Sequence, residues 1–349
     1  MKAITVEPKK AGSTQLENVS EPDLRYGSVL VEAIAVGVCG TDVEITEGKY
    51  GWAPPGETRL VLGHESLGRV LDPGPSSAMK KGDLVAGIVR RPDPVPCPNC
   101  AVGEWDMCRN GQYTERGIKQ IHGYMSERWR IEPEYAVKIE PALGILGVLL
   151  EPTTVVTKAW EHTLAVGRRA FWEPRTVLVT GAGPIGLLAA LLGVQLGFEV
   201  HVLDRIQSGP KPELVRDLGA AYHSSRVADI GFAPDIVLEC TGVGDVISQS
   251  ISHVAASGIV CLTGVGHGGP VPTMPMADIG SSAVLKNNIV FGSVNANKRH
   301  WYKAAEALAR ADHSWLARLI TGRERPEGFA KALARGAQHI KVVIQFADV

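Results

Sequence analysis

The sequence predicts a two-domain α/β protein: a β-rich, barrel-like N-terminal domain followed by a doubly wound parallel sheet. Three observations carry this. The chain has 349 residues, about two domains at roughly 150 residues each. Before about residue 155, short apolar strands alternate with Gly/Pro turns, as in SVLVEAIAVGVCG, VLGHESLGRVLDPG and GDLVAGIVR. Turn signals at such short, regular spacing read as an all-β region. From about Pro174 the texture becomes strand, glycine turn, helix, strand. The strands TVLVTG, FEVHVLD, DIVLECTG and GIVCLTG are almost wholly apolar, and helical stretches such as PIGLLAALLGVQLG and PELVRDLGA separate them. Continuous apolar strands alternating with helices imply a parallel sheet covered on both faces. Beyond about Phe291, KAAEALARA and GFAKALARG read as helices and HIKVVIQF as a strand. A last strand returning to the first domain makes that domain discontinuous. The expected division is 1–155, completed by 294–349, and 156–293.

Composition narrows the function. Apolar residues make up 45% and charged residues 21%, ordinary for a globular protein. Lys plus Arg is 36 against 37 for Asp plus Glu, which excludes the strongly basic footprint of a dedicated nucleic-acid binder. The apolar run Ile185–Leu196 is interrupted by Gly193 and Gln195 and is too short to span a bilayer. The N-terminus MKAITVEPKKAG has no apolar signal core, so the expectation is a cytoplasmic protein with no membrane partner. Six cysteines in a chain of this length are no disulfide framework; in a reducing compartment their clustering points to metal or catalysis.

The first motif is Gly181-Ala182-Gly183-Pro184-Ile185-Gly186, directly after the strand Thr176–Thr180. It matches G-x-G-x-x-G. The first glycine permits the tight turn, the second lets backbone approach a pyrophosphate, and the third lets helix pack on strand. The following helix start offers free N–H groups and a positive dipole end to the phosphates. A second strand ends at Asp204, 18 residues after Gly186, where a ribose-binding acid is expected. These features together predict a Rossmann dinucleotide site. Asp204 favours NAD by repelling a 2′-phosphate. Arg205 and Lys211 are the adjacent cations that could admit NADP, or else belong to a solvated loop.

Two clusters have metal-ligand character. Cys39 lies in GVCGTD, and His64-Glu65 follows 25 residues after it in GHE. A thiolate, an imidazole and a carboxylate suit a tetrahedral Zn²⁺ with one open position. Asp42 is placed to orient His64 by accepting its second N–H. The second cluster is Cys97, Cys100 and Cys108 in PDPVPCPNCAVGEWDMC, a knuckle-like arrangement suited to a structural Zn²⁺. Three thiolates leave the ion one ligand short. Asp93 is the candidate for the fourth, and Asp106 the alternative. Cys240 and Cys261 fall in apolar strand sequence and read as core. The expected metal content is thus two zinc ions per chain.

Taken together, these motifs resemble the medium-chain zinc alcohol dehydrogenase superfamily over essentially the whole chain, and in detail its microbial glucose 1-dehydrogenase branch. The stretches carrying the branch resemblance are VRRPDPVPCPNCAVGEWDMCRNG, YTERGIKQIHGYM, LLEPTTVVTKAWEH and SVNANK. The resemblance implies a GroES-like catalytic domain plus a Rossmann domain. It assigns Cys39, His64 and Glu65 to the catalytic zinc, Glu151 to a further group approaching that metal, and Thr41 to proton relay. It assigns Glu115 and Asn295, with Glu151, to a sugar substrate. Two departures stand out. The first cysteine of the lobe is replaced, with Asp93 nearest its place, and Val89 and Val155 stand where some relatives carry polar groups that contact sugar. The implied reaction is oxidation of an aldose at its anomeric carbon to the lactone, with reduction of NAD(P)⁺, by a homodimer or homotetramer. The alternatives are a polyol or cyclitol dehydrogenase on the same scaffold, or a metal-independent quinone reductase, which has no use for Cys39, His64 and Glu65.

Overall fold

The structure is a computed structural model that describes residues 1–75, 78–266, 276–334, 336 and 338–349, without the side chain of Asp278. The chain forms two compact units: Met1–Glu151 together with Ala296–Val349, and Pro152–Asn295.

The first unit is built on a seven-stranded sheet. Its central strand, Val29–Gly37, pairs antiparallel with Glu65–Asp72, Arg128–Ile131 and Lys341–Gln345. Val29–Gly37 is buried over most of its length, as its apolar run VLVEAIAVG requires. Leu84–Gly87 and Ala136–Lys138 extend the sheet on one side, and Ile320–Glu324 on the other. Ile320–Glu324 lies parallel to Lys341–Gln345. Trp129, 2% exposed, packs edge-on against Tyr124. A small sheet, Arg90–Arg91, Thr114–Arg116 and Gln120–Ile121, carries the cysteine lobe between its first two strands.

Close backbone approach shapes the segment before His64. A Cβ on Gly123 would lie 2.3 Å from the carbonyl oxygens of Gly63 and Leu62. Gly63 itself has φ +89, a left-handed conformation that glycine adopts at little cost. The Gly63–His64 turn is therefore clamped between bare backbone.

The second unit is a six-stranded parallel sheet. In space the order runs Ala221–His223, Glu199–Leu203, Thr176–Thr180, Ile236–Glu239, Ile259–Leu262, Ile289–Gly292. This is the doubly wound order 3-2-1-4-5-6, with its switch point between Thr176–Thr180 and Ile236–Glu239. Ligands in such sheets bind outside the carboxyl ends of the strands at that point. Leu178, Val237 and Val260 from three neighbouring strands share a core cluster with Ile251 and Ile279 from two helices and with Val254, which directly follows the first of them. Cys261 is buried in its strand, whereas Cys240 lies one residue past the end of Ile236–Glu239 and is only half-buried.

The stretch Pro141–Gly167 is long and apolar enough by composition to cross a bilayer, with mean hydropathy 1.3. It was not evident from the sequence because Glu151, Lys158 and Glu161 interrupt it. Most of its apolar window, 72%, is buried within the protein, as in a core helix.

Gly123→Ala should force the Gly63 carbonyl to move. Overpacking of this kind costs about 1–3 kcal/mol. A thermal melt should show a lowered Tm; an unchanged melt would mean that this clamp has slack.

Candidate active site

Cys39 ends the approach from strand Val29–Gly37 and caps the short helix Gly40–Thr46. Its backbone N–H donates to Asp42 Oδ2 at 2.8 Å. Thr41 sits in the first turn of that helix. His64 and Glu65 stand at the start of the neighbouring strand. The donor atoms of Cys39, His64 and Glu65 all lie within 4.8 Å of one another. A thiol, an imidazole and a carboxylate so grouped are a donor set that fits a zinc ion.

Asp42 is fully buried, with Oδ1 3.5 Å from His64 Nδ1, an ion-pair distance rather than a hydrogen bond. Both atoms are buried without a hydrogen-bond partner. With Nδ1 facing Asp42, Nε2 is the nitrogen left for a ligand. Burial opposes a proton on His64, but the Asp42 charge, aided by Cys39, outweighs it and lifts the imidazole well above its ordinary value. Burial likewise raises Asp42, and His64 more than compensates, so that carboxyl ends below its usual range. The site thus holds its charge as an internal pair.

Glu65 has a partner that sequence reasoning missed. Lys341 Nζ lies 2.7 Å from Oε1 and 2.5 Å from Oε2, and also donates to the Val38 carbonyl at 3.3 Å. Both side chains are 2% exposed. The two residues reach each other across Gly37, where a Cβ would sit 2.1 Å from Glu65 Oε2. The signal was present in the sequence: a lysine opening the apolar strand KVVIQ is costly to bury without an acid. Glu151, at the end of the first unit, is half-buried. Burial pushes its carboxyl up to about 7, against the opposing charge of His64 and with the support of Glu65.

The cysteine lobe gathers Cys97, Cys100 and Cys108 within 4.8 Å, again a donor set that fits zinc. The Cys97 thiol is lowered by the backbone N–H of Arg109 at 3.4 Å. Cys100 is raised, mainly by burial. Neither carboxylate candidate for a fourth ligand joins this group. Asp93 accepts from Val95 N and Asn110 Nδ2, each at 2.9 Å, and so closes its own loop. Asp106 accepts from Asn297 Nδ2 at 3.0 Å. Each is a buried acid whose desolvation those donors help to offset.

In the second unit each glycine of the fingerprint shows its own reason. Gly181 has φ +89 and donates its N–H to Leu203 O at 2.7 Å. A Cβ on Gly183 would meet nothing within 4 Å, whereas one on Gly186 would lie 1.8 Å from Gly181 O. Pro184 and Ile185 open the helix Pro184–Gln195, proline at the position where its missing N–H costs nothing. The open face at Gly183, at a helix start, could hold a phosphate group. Asp204 does more than the sequence suggested. Its Oδ2 accepts from Ala182 N at 2.7 Å and its Oδ1 from Ile206 N at 3.0 Å. It pins the glycine turn, and a carboxylate's remaining lone pairs stay available to a ribose. Lys211 Nζ lies 3.7 Å from Oδ2, with both side chains largely buried, while Arg205 is exposed. Asn295 follows the last strand of this sheet and holds φ +60, a left-handed conformation that asparagine tolerates better than most residues.

Glu115 is 6% exposed and faces Arg90 across the small sheet. Val89 is buried beside it in sequence, and Val155 is half-buried in the second unit.

Removing one partner of a buried pair strands the other charge at a cost of about 3–5 kcal/mol. Lys341→Met should therefore destabilise the metal-free protein by that order, read from urea denaturation, and adding Glu65→Gln should recover most of the loss. A single variant as stable as the parent would show that the pair contributes nothing net.

Two family models match the chain: the alcohol dehydrogenase GroES-like domain over residues 25–141 and the glucose dehydrogenase C-terminus over 144–346. Glucose 1-dehydrogenase 2 of Vulcanisaeta moutnovskia is 39% identical over 352 residues, covering 99% of both chains. Glucose 1-dehydrogenase of Methanocella arvoryzae is 35% identical over 356 residues, again with 99% of both covered. Among solved structures, Haloferax mediterranei glucose dehydrogenase in complex with NADP, Zn and gluconolactone superposes with a TM-score of 0.91 at 32% identity, covering 100% of both chains. Full-length similarity at this level, on a fold and donor sets already in place, means that the chain belongs to the medium-chain zinc-dependent alcohol dehydrogenase superfamily, in the family that carries the glucose dehydrogenase C-terminus.

Proposed function

We propose that this protein oxidises an aldose at its anomeric carbon to the lactone and reduces NAD(P)⁺. The observation that carries the reading is the buried group of Cys39, His64 and Glu65 in a chain similar over its full length to glucose 1-dehydrogenases. The solved Haloferax relative, with NADP, Zn and gluconolactone, supports the same reaction class. A zinc ion held by Cys39, His64 and Glu65 would supply Lewis acidity at the sugar hydroxyl, and the nicotinamide would accept hydride.

The chain's own residues do the remaining work. Asp42 orients His64 and balances its charge. Lys341 balances Glu65 and fixes the direction from which its carboxylate faces the site. Glu151, with a carboxyl near 7, is suited to take or release a proton close to neutrality. Thr41 offers a hydroxyl beside Cys39 for moving the alcohol proton outward. Glu115 and Asn295 are the proposed acceptors and donors for the other sugar hydroxyls. Cys97, Cys100 and Cys108 would hold a second zinc ion, whose role is to fold the lobe. In the cofactor unit, Lys211 lessens the negative charge that Asp204 presents to a 2′-phosphate, so NADP⁺ is included beside NAD⁺. The reading includes a cytoplasmic homo-oligomer, dimer or tetramer, which light scattering on the purified protein tests.

Two experiments test the function. Steady-state kinetics on an aldose panel, a cyclitol and short alcohols should place an aldose first. A site built for hydroxyls rejects analogues lacking them, so ethanol should trail in kcat/KM by at least about a hundredfold. Protein purified without chelator should carry close to two zinc ions per chain. Ethanol outrunning every polyol, or full activity without zinc, overturns the reading.

The glycine geometry gives a sharper test of the cofactor turn. Gly183→Ala should leave the melt unchanged yet weaken NAD(P)⁺ binding by about tenfold or more, because its methyl enters the phosphate cradle. Gly186→Ala should lower both Tm and cofactor affinity, because its Cβ strikes the Gly181 carbonyl. Equal cofactor affinity in Gly183→Ala and the parent would place the phosphates elsewhere.

A further inference from the structure

We propose that Arg90 is the positioning residue for sugar recognition, fixing the Glu115 carboxylate as an oriented acceptor for the hydroxyls of a polyhydroxylated ring. This rests on the reading of Glu115 as a sugar-binding residue. Arg90 and Glu115 stand directly opposite in the antiparallel pair of Arg90–Arg91 with Thr114–Arg116. Arg90 Nε and Nη2 both donate to Glu115 Oε1, at 3.1 and 3.0 Å. Both side chains are less than a tenth exposed. The third arm, Nη1, donates to the carbonyl of Asp106 at 3.1 Å. The guanidinium carbon lies 3.7 Å from the centre of the Tyr113 ring. Four contacts from one planar group leave it a single orientation.

The base of this clamp is itself tied down. Asp106 belongs to the 3₁₀ turn Trp105–Met107, next to Cys108. Its carboxylate takes the amide of Asn297, the residue that caps helix Lys298–Arg310. The direction of Glu115 is thus set by two segments distant in sequence, through Arg90.

The chemistry follows from the type of cation. A guanidinium does not deprotonate in proteins and has no acceptor, so Arg90 only donates, and it leaves the other lone pairs of the Glu115 carboxylate to accept from a ligand. An oriented carboxylate acceptor recognises hydroxyl donors and gains nothing from an alkyl chain. Lysine could match the charge but not the planar fork. Tyr50 marks the neighbourhood of the carboxylate: its phenol is raised first by burial and next by the Glu115 charge.

The test is a double-mutant cycle on the zinc-loaded enzyme, with the best aldose and with cofactor varied separately. Arg90→Met should raise the aldose KM about tenfold or more while the cofactor KM stays within twofold. Arg90→Lys should fall between Arg90→Met and the parent. In the Glu115→Gln background, Arg90→Met should add less than twofold, because the group it positions is already gone. A purely structural arginine would instead lower Tm and kcat and leave effects that multiply. Multiplying effects, or an aldose KM unchanged in both Arg90 variants while Glu115→Gln raises it, overturns the role of Arg90 alone. Should Glu115→Gln itself leave the aldose KM unchanged, the assignment of Glu115 falls and this proposal falls with it. If Arg90→Met does not fold, the Arg90→Lys arm of the same cycle decides between these outcomes.

Discussion

The first unit depends on one buried ion pair, Lys341 with Glu65. Neither charge has water to fall back on, since both side chains are 2% exposed. Each is stable there only because the other is. The pair also joins two parts of the chain that are 276 residues apart. Lys341 opens the C-terminal strand, Glu65 opens a strand of the N-terminal segment, and strand Val29–Gly37 lies between them. Gly37 makes this possible. Any side chain there would occupy the space of the Glu65 carboxylate. A glycine, a lysine and a glutamate from three strands are one device.

The same logic recurs at four other buried or part-buried acids. Asp42 is held by the Cys39 N–H and faces His64. Asp204 is held by the backbone of the glycine turn and offset by Lys211. Glu115 is held by Arg90. Glu239, fully buried at the carboxyl end of its strand, accepts from Thr241 N at 2.8 Å and Gly242 N at 3.1 Å. In each case a fixed donor or cation meets the carboxylate and offsets the cost of taking it out of water. The result is a set of carboxylates whose directions are settled before any ligand arrives, the condition for electrostatic preorganisation.

The cofactor turn shows how the three glycines divide the labour. Gly181 bends the chain, Gly186 lets the helix approach the strand, and Gly183 keeps a surface bare. Only the last leaves open space that a ligand could occupy. The first two are folding requirements that happen to share its motif, which is why the pattern alone cannot separate stability from affinity.

Sequence by itself determined the fold class, through local signals. Apolar runs of the right length and the glycine turn after Thr176–Thr180 fixed the parallel sheet, because strand burial and turn chemistry are readable within ten residues. Cys39, His64 and Glu65, and the three lobe cysteines, were visible because reactive side chains are rare enough to stand out. Tertiary structure decided the rest. It gave Asp93 to Asn110 and Asp106 to Asn297, since which donor satisfies a buried acid depends on loops that meet only in space. It gave Glu65 to Lys341 and Glu115 to Arg90. Nothing in a linear spacing of 276 or 25 residues says that two side chains will face each other across a strand. Such pairings are set by strand order and register, and these are chosen by the burial of the whole sheet rather than by any single segment.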